Sequence, residues 1–261
     1  SASALTVKSG ATVAVTAGNT WTAANIGTLL NTGTFNAGSI IGIDTSVADF
    51  TYNAITDTTY GSLGLTKLGS NALTLTGVNT YTGATTISSG TLNLVGSLGN
   101  TAVNVSAGAT LMGTGTANGV TVANGNIAGS LTFNNDVTVS TGATAAAAAF
   151  NGNVNNNGTI TSAFTLQSGK TLAGSGTASG AVAVVGGTVN GSGLTLGNVT
   201  FSGSSSLSGL TTAANYTVAS GTTFQTGTAK GAVSVLMGAA LNHSGLIDGN
   251  ASVSGLLKTS G

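Results

Sequence analysis

The chain has 261 residues, with 42 glycines, no proline and no cysteine, and only 4% of its residues are charged. Its formal net charge is zero, so it has no basic field to attract nucleic-acid phosphates or anionic lipid, which excludes nucleic acid as an expected partner. Hydrophobic residues make up 41% of the chain, too many for a disordered linker, so a thin buried core is predicted.

Short alternating apolar runs recur along the whole chain, separated by Gly, Asn and Ser-Gly turns. Apolar residues at positions i and i+2 point to one face of a strand, so each run predicts a short half-buried strand. No convincing amphipathic helix interrupts them, and the expected fold class is all-β. Examples in chain order are residues 5–7, 13–15, 73–75, 92–94, 103–105, 137–139, 194–196 and 233–235.

Longer copies of a strand–turn–strand pattern occur at 103–122, 164–184 and 216–235. Copies at this spacing are typical of a solenoid, in which one coil is too small to bury its own apolar side. Stacking coils about 4.8 Å apart buries Val and Leu and pairs the backbone groups. We therefore predict a parallel β-solenoid, a single elongated rod with coils of about 20 to 25 residues.

Residues 64–96 carry the most specific pattern in the chain. Its telling segments are Leu65-Thr66-Lys67, Leu73-Thr74-Leu75-Thr76-Gly77, Asn79-Thr80-Tyr81-Thr82-Gly83 and Ser89-Gly90-Thr91-Leu92. The pattern closely resembles the autotransporter-associated β-strand repeat of bacterial passenger regions, and residues 102–122 resemble its usual continuation. The resemblance implies a right-handed parallel β-helix that is extracellular, on a bacterial cell surface.

We expect one continuous domain with less regular coils at 1–63, repeat coils at 64–125 and further coils at 126–261. The predicted role is structural and non-enzymatic, without a cofactor or a metal: a rod that assembles with itself into a fibre, stalk or sheath and adheres to a host or matrix surface. The longest apolar runs, at 145–150 and 181–185, are far shorter than a membrane helix requires. The alternative function is a carbohydrate-binding or carbohydrate-active passenger domain.

The two ends of the sequence resemble two parts of one repeat. Residues 255–261 resemble the opening of the 64–96 pattern, and residues 1–7 resemble the part that follows it. Because open strand edges template association, we hypothesise that subunits stack head to tail into a filament. The alternative is one segment of a longer repetitive chain. The predicted subunit contacts are Ser1, Ala4, Leu5, Val7, Leu256, Leu257 and Lys258.

Three of the five acids lie close together, at Asp44, Asp49 and Asp57. A carboxylate pair for glycoside cleavage or a weak Ca²⁺ site is one interpretation of these acids, and solvation of a less regular loop is the favoured alternative. With Trp21 and Tyr52 they make up a candidate ligand surface. The aromatic residues of this stretch have a second interpretation, as a cap on the N-terminal coils.

His243 is the only histidine, and Ser244 and Asp248 lie near it in the sequence. A Ser-His-Asp arrangement is one interpretation of these three residues. No nucleophile-elbow pattern surrounds them, so a histidine in a turn or on the surface is the favoured alternative. The lysines are interpreted as solubilising and edge-protecting residues, at Lys8, Lys67, Lys170, Lys230 and Lys258.

Overall fold

A computed structural model describes residues 5–18, 20–56, 62–119, 121–146 and 149–259. These residues form one helix and mostly short strands, and the strand pairs described below are parallel. The two longest strands, Thr188–Ser202 and Ser205–Val218, pair with a register shift between Ser192 and Leu194. Together the strands make a β-solenoid of about 11 turns. The predicted all-β parallel solenoid is confirmed.

The chain divides into two compact units, Ser1–Asn135 and Asp136–Gly261. The three segments expected from sequence, with boundaries at 63/64 and 125/126, stay a prediction. The first unit contains α1 (Ala23–Thr32) and strands β1 (Thr6–Val7), β2 (Thr12–Thr16), β3 (Thr34–Phe35), β4 (Ile40–Asp44), β5 (Phe50–Tyr52), β6 (Gly64–Leu68), β7 (Ala72–Leu75), β8 (Thr85–Ile87), β9 (Thr91–Leu94), β10 (Ser97–Leu98), β11 (Val103–Val105), β12 (Thr110–Gly113), β13 (Thr116–Ala117), β14 (Thr121–Ala123), β15 (Asn126–Ile127) and β16 (Thr132–Phe133).

Three parallel walls form the first unit. One wall stacks β2, β4, β6, β8, β11 and β14; a second stacks β5, β7, β9, β12 and β15. On the third side β1 pairs with β3, and β10, β13 and β16 stack. The coils shorten along this unit, because Thr12 pairs with Ile40, 28 positions later, whereas Val103 pairs with Thr121, 18 positions later.

The second unit has more uniform coils. Thr188 pairs with Ser206, 18 positions later, and Thr222 pairs with Ala240 at the same spacing, so the predicted coil of about 20 to 25 residues is too long here. Its strands are β17 (Val137–Val139), β18 (Thr144–Ala145), β19 (Ala149–Phe150), β20 (Val154–Asn156), β21 (Thr159–Ile160), β22 (Phe164–Leu166), β23 (Thr171–Gly174), β24 (Thr177–Ala178), β25 (Val182–Val185), β26 (Thr188–Ser202), β27 (Ser205–Val218), β28 (Thr222–Gln225), β29 (Thr228–Val235), β30 (Ala240–His243), β31 (Leu246–Asp248), β32 (Ala251–Val253) and β33 (Leu256–Thr259).

The core of each unit is a set of columns of inward-facing apolar residues. In the first unit Leu73, Leu92, Leu111 and Ile127 pair in succession, and none is more than 1% exposed. Each such side chain contributes about 1.5 to 3 kcal/mol on burial. Apart from Met112, their strand neighbours are polar or small, so the period-two alternation seen in the sequence matches the observed inward and outward faces.

The helix α1 was not predicted. Thr22 caps it: the Thr22 side chain accepts from the Asn25 backbone N–H while the Asn25 side chain accepts from the Thr22 backbone N–H. Ile26 is buried on its inner side, and Gly27 lowers its helix propensity. The polar pair at Thr22 and Asn25, followed by apolar Ile26 and Leu29, was the signal available in the sequence. Among the described residues, no helix has the length and apolarity to cross a membrane.

Candidate functional site

The side chain of Lys67 is completely buried on β6. Its Nζ donates hydrogen bonds to the carbonyl oxygens of Leu68 at 2.6 Å, Gly69 at 2.8 Å and Ser89 at 3.1 Å. Leu68 and Gly69 belong to its own corner, and Ser89 belongs to the corner of the next coil, so one ammonium group joins two coils. The interpretation of Lys67 as a solubilising surface residue was wrong, because three carbonyl groups replace its water shell.

Asp44 and Asp49 lie near this buried ammonium group. The Asp44 carboxylate accepts from the Ser46 backbone N–H at 2.9 Å, and the Asp49 carboxylate accepts from the Ala72 backbone N–H at 2.8 Å. Burial lowers the pKa of Lys67 from its ordinary value, and the negative charges of Asp44 and Asp49 partly offset that effect. Both acids therefore stabilise a corner of the solenoid, through the backbone and through charge.

Trp21 and Tyr52, the aromatic members of the predicted ligand surface, have different environments. Tyr52 is 8% exposed, and its hydroxyl lies close to Gly27 of α1. Burial raises the pKa of Tyr52. Trp21 lies beside the start of α1, is half-buried and lines a shallow surface groove. Asp57, the last member of that surface, lies outside the described residues.

Two signature residues of the 64–96 pattern, Asn79 and Tyr81, are completely buried, and Asn79 is a polar joint between coils. The Asn79 side chain accepts from the Ile55 backbone N–H at 2.8 Å and donates to the Ser97 carbonyl at 3.0 Å, so it links three successive coils. The Tyr81 hydroxyl is hydrogen-bonded to the Thr85 hydroxyl at 2.7 Å, and burial raises the pKa of Tyr81. Both residues are therefore internal; Asn79 holds successive coils together, whereas the Tyr81 hydrogen bond lies within one coil.

Gln225 makes a similar joint in the second unit. It is 2% exposed, and its Nε2 donates to the Gly227 carbonyl at 3.0 Å and to the Leu246 carbonyl, in the next coil, at 2.9 Å. Its Oε1 accepts from His243 Nδ1 at 2.9 Å. Lys67 likewise donates to the carbonyl group two residues later, at Gly69, and to one in the next coil, at Ser89. Sequence reasoning missed Gln225, because an isolated glutamine carries no pattern.

The structure places the three candidate triad residues in separate roles. His243 is half-buried at the end of β30 and contacts the Gln225 amide. The Ser244 hydroxyl donates to the Gln225 carbonyl at 3.5 Å. Asp248 is exposed, and its backbone lies opposite that of Lys230 where β31 pairs with β29. In the described part of the chain, no group of three His, Cys, Asp or Glu side chains is arranged to hold a metal ion.

The predicted subunit contacts in the N-terminal segment lie partly outside the described residues. Ser1 and Ala4 are among those left undescribed. Leu5 is 43% exposed, whereas Val7 on β1 is 4% exposed. Val7 therefore belongs to the core, and only Leu5 presents apolar surface.

The C-terminal members of that set lie on β33, whose register differs from that of β6. Leu257 pairs with the buried Leu241 and continues its inward row, while Leu256 and Lys258 are exposed. In β6 the residue aligned with Lys258 is Lys67, which is buried. A shift of one residue moves every side chain to the other face, so β33 does not reproduce the opening of the 64–96 pattern.

We call the coil of β31, β32 and β33 the open coil, because no other described strand pairs with its second edge. Each of these strands is paired along one edge among the described strands, with β29, β29 and β30 respectively. Val235 on β29 is 1% exposed, whereas Val253, which pairs with it and continues its row, is 42% exposed. In the described part of the chain, this coil thus exposes an inward-facing valine beside strand edges that no described strand covers.

These features define the class of protein: a parallel β-solenoid whose coils are joined by buried polar side chains at the corners. A family model described as the passenger-associated-transport-repeat matches residues 65–94, which comprise β6 to β9 apart from Gly64. This match confirms the resemblance found in the sequence, and the repeat and the fold fit an autotransporter passenger domain. No significant match was found among curated proteins or solved structures.

Proposed function

We propose that this chain is a structural, non-catalytic segment of a passenger domain exposed outside a bacterial cell. The buried Lys67 and Gln225 support this role, because their polar groups are engaged in holding the fold. Lys67 donates to three carbonyl groups, and Gln225 contacts His243 and two further carbonyl groups. The passenger repeat at residues 65–94 supports the location outside the cell.

The outward faces of the second unit support a role in adhesion. Thr200, Thr217 and Ser234 pair in succession and form an uncharged hydroxyl row on one side of the sheet. Such a row offers hydrogen-bond donors and acceptors with little side-chain entropy to lose on contact. In our proposal these rows face the host or matrix surface.

The open coil of β31 to β33 is the observation on which the assembly part of the proposal rests. Among the described strands the outer edges of this coil have no partner, and Val253 beside them is exposed, so we infer that a further coil stacks here. Our proposed occupant is a second copy of this chain, which presents the outer edges of β1 and β2. Each is paired along one edge among the described strands, with β3 and β4. Such a head-to-tail contact repeats without closing and produces a fibre.

The test compares two lysine substitutions on adjacent residues of β32. Val253→Lys places a charge in the inward row of the open coil, whereas Ser252→Lys places the same charge on the outward face. Sedimentation velocity over about 1 to 200 µM should show concentration-dependent oligomers for the wild type and for Ser252→Lys. Val253→Lys should remain monomeric, because a charge cannot be buried unpaired between two coils.

Circular dichroism of both variants serves as the folding control. A wild-type chain that stays monomeric over the whole concentration range contradicts end-on assembly by this chain. Equal assembly by folded Val253→Lys contradicts the assignment of the contact to the open coil.

A further inference from the structure

The first coil is much larger than the later coils of its unit. Thr12 pairs with Ile40, 28 positions later, against 18 positions for Val103 and Thr121. The extra length holds Trp21 and α1. Residues inserted into a solenoid coil lie at its surface and frequently form its binding face, so this enlargement directs attention to the surface of α1.

A shallow groove of about 370 Å³ lies on this enlargement. Its lining residues are Thr20, Trp21, Asn25, Thr28, Leu29 and Thr32. The last four occupy one face of α1, at spacings of three and four residues, while Ile26 anchors the helix from its buried side. The groove side chains are therefore carried by an anchored element, which limits the entropy lost on binding.

The polar atoms of the groove have defined hydrogen-bonding roles. Asn25 Oδ1 accepts from the Thr22 backbone N–H at 3.0 Å, which directs its Nδ2 donors away from the cap. The Thr28 hydroxyl donates to the Ala24 carbonyl at 3.0 Å, and the Thr32 hydroxyl donates to the Thr28 carbonyl at 2.8 Å. Both hydroxyl oxygens therefore present lone pairs. The groove offers an amide donor and two hydroxyl acceptors beside a half-buried indole ring.

None of the six lining residues is charged, so the groove has no counter-charge for an acidic or basic ligand. Its indole ring suits a flat face of C–H groups, which the negative π surface attracts. Its amide and hydroxyl groups suit a ligand with several hydroxyl groups around that face. A neutral pyranose sugar has both properties. We propose that this groove binds a neutral sugar ring, stacked on Trp21 and hydrogen-bonded by Asn25, Thr28 and Thr32.

The experiment uses Trp21 as its own reporter, since it is the only tryptophan in the chain. The probes are lactose, cellobiose, maltose and N,N′-diacetylchitobiose, with sialyllactose and octanol for an acidic sugar and an apolar chain. At least one neutral disaccharide should shift the fluorescence saturably, with a Kd on the order of 1 mM for such a small shallow contact. No response to the neutral sugars up to about 50 mM overturns the proposal, and so does a response to sialyllactose or octanol alone.

Matched variants on α1 test the assignment of residues. Thr28→Val keeps the shape of the side chain but removes its acceptor, and should weaken sugar binding about tenfold. Asn31→Ala changes an exposed residue of α1 that does not line the groove, and should leave the affinity unchanged. Trp21→Ala should abolish binding. Because this variant lacks the fluorescent reporter, its binding is measured by saturation-transfer NMR. Equal affinity in folded Thr28→Val and the wild type, or binding retained in Trp21→Ala, contradicts this site.

Discussion

The corners at Lys67 and at Gln225 use similar geometry with different chemistry. Each side chain is buried and reaches the carbonyl two residues on and a carbonyl in the next coil. Lys67 brings a charge into the interior, where burial lowers its pKa and two acids partly offset the effect. Gln225 brings no charge, and its oxygen accepts from His243. Both corners therefore use a buried donor to join two coils, and the donor is charged only where acids lie nearby.

Exchanging the two residues should produce the largest effect. Gln225→Lys removes the acceptor for His243 and buries an ammonium group in a corner built for an amide, so we expect a loss of about 3 kcal/mol or more in unfolding free energy. The reverse change, Lys67→Gln, keeps two N–H donors and removes a buried charge, and should cost about 1 kcal/mol. Denaturant titrations followed by circular dichroism measure both. Equal losses in the two variants would show that the two corners do not differ as described.

The second-largest effect should be a pH dependence of the unfolding free energy that arises from the corner at Lys67. Because the pKa of Lys67 is lowered in the folded state, the unfolded chain binds more protons between that pKa and the ordinary value of 10.5. The unfolding free energy of the wild type relative to Lys67→Gln should therefore rise with pH towards 10.5 and decline as pH falls towards the lowered pKa.

Denaturant titrations at a series of pH values measure this difference. The tyrosines, including buried Tyr81, are common to both proteins, so their titration cancels in the comparison. A difference that stays constant with pH, or falls as pH rises, would contradict a lowered pKa for Lys67.

The smallest effect should be the coupling between Asp49 and Lys67. Asp49→Asn keeps an oxygen that can accept from the Ala72 backbone N–H and removes only the negative charge. A double-mutant cycle with Lys67→Gln should give a coupling of about 0.5 kcal/mol, because the charge of Asp49 is not the largest influence on Lys67. Raising the salt concentration should reduce this coupling. If the losses in unfolding free energy of the two single variants add up to that of the double variant at low salt, Asp49 does not interact with Lys67.

The first and last coils show how far sequence reasoning reaches. Alternating Val and Leu predicted the strands because the period of two does not depend on distant residues. The helix α1 was missed because burial of Ile26 and the cap of Thr22 override its weak helix propensity. The resemblance of residues 255–261 to the opening of the 64–96 pattern does not extend to the register of β33, because similar residue types do not show which face of a strand turns inward.

By itself the sequence determined the parallel solenoid and the passenger repeat, because both depend on local alternation and on the short pattern between Leu65 and Leu94. Only the tertiary structure decided which polar residues are internal. Lys67, Asn79 and Gln225 are joints because stacking places carbonyl groups of the next coil within hydrogen-bonding reach. That partner lies about 20 residues away along the chain, so no local pattern could reveal it.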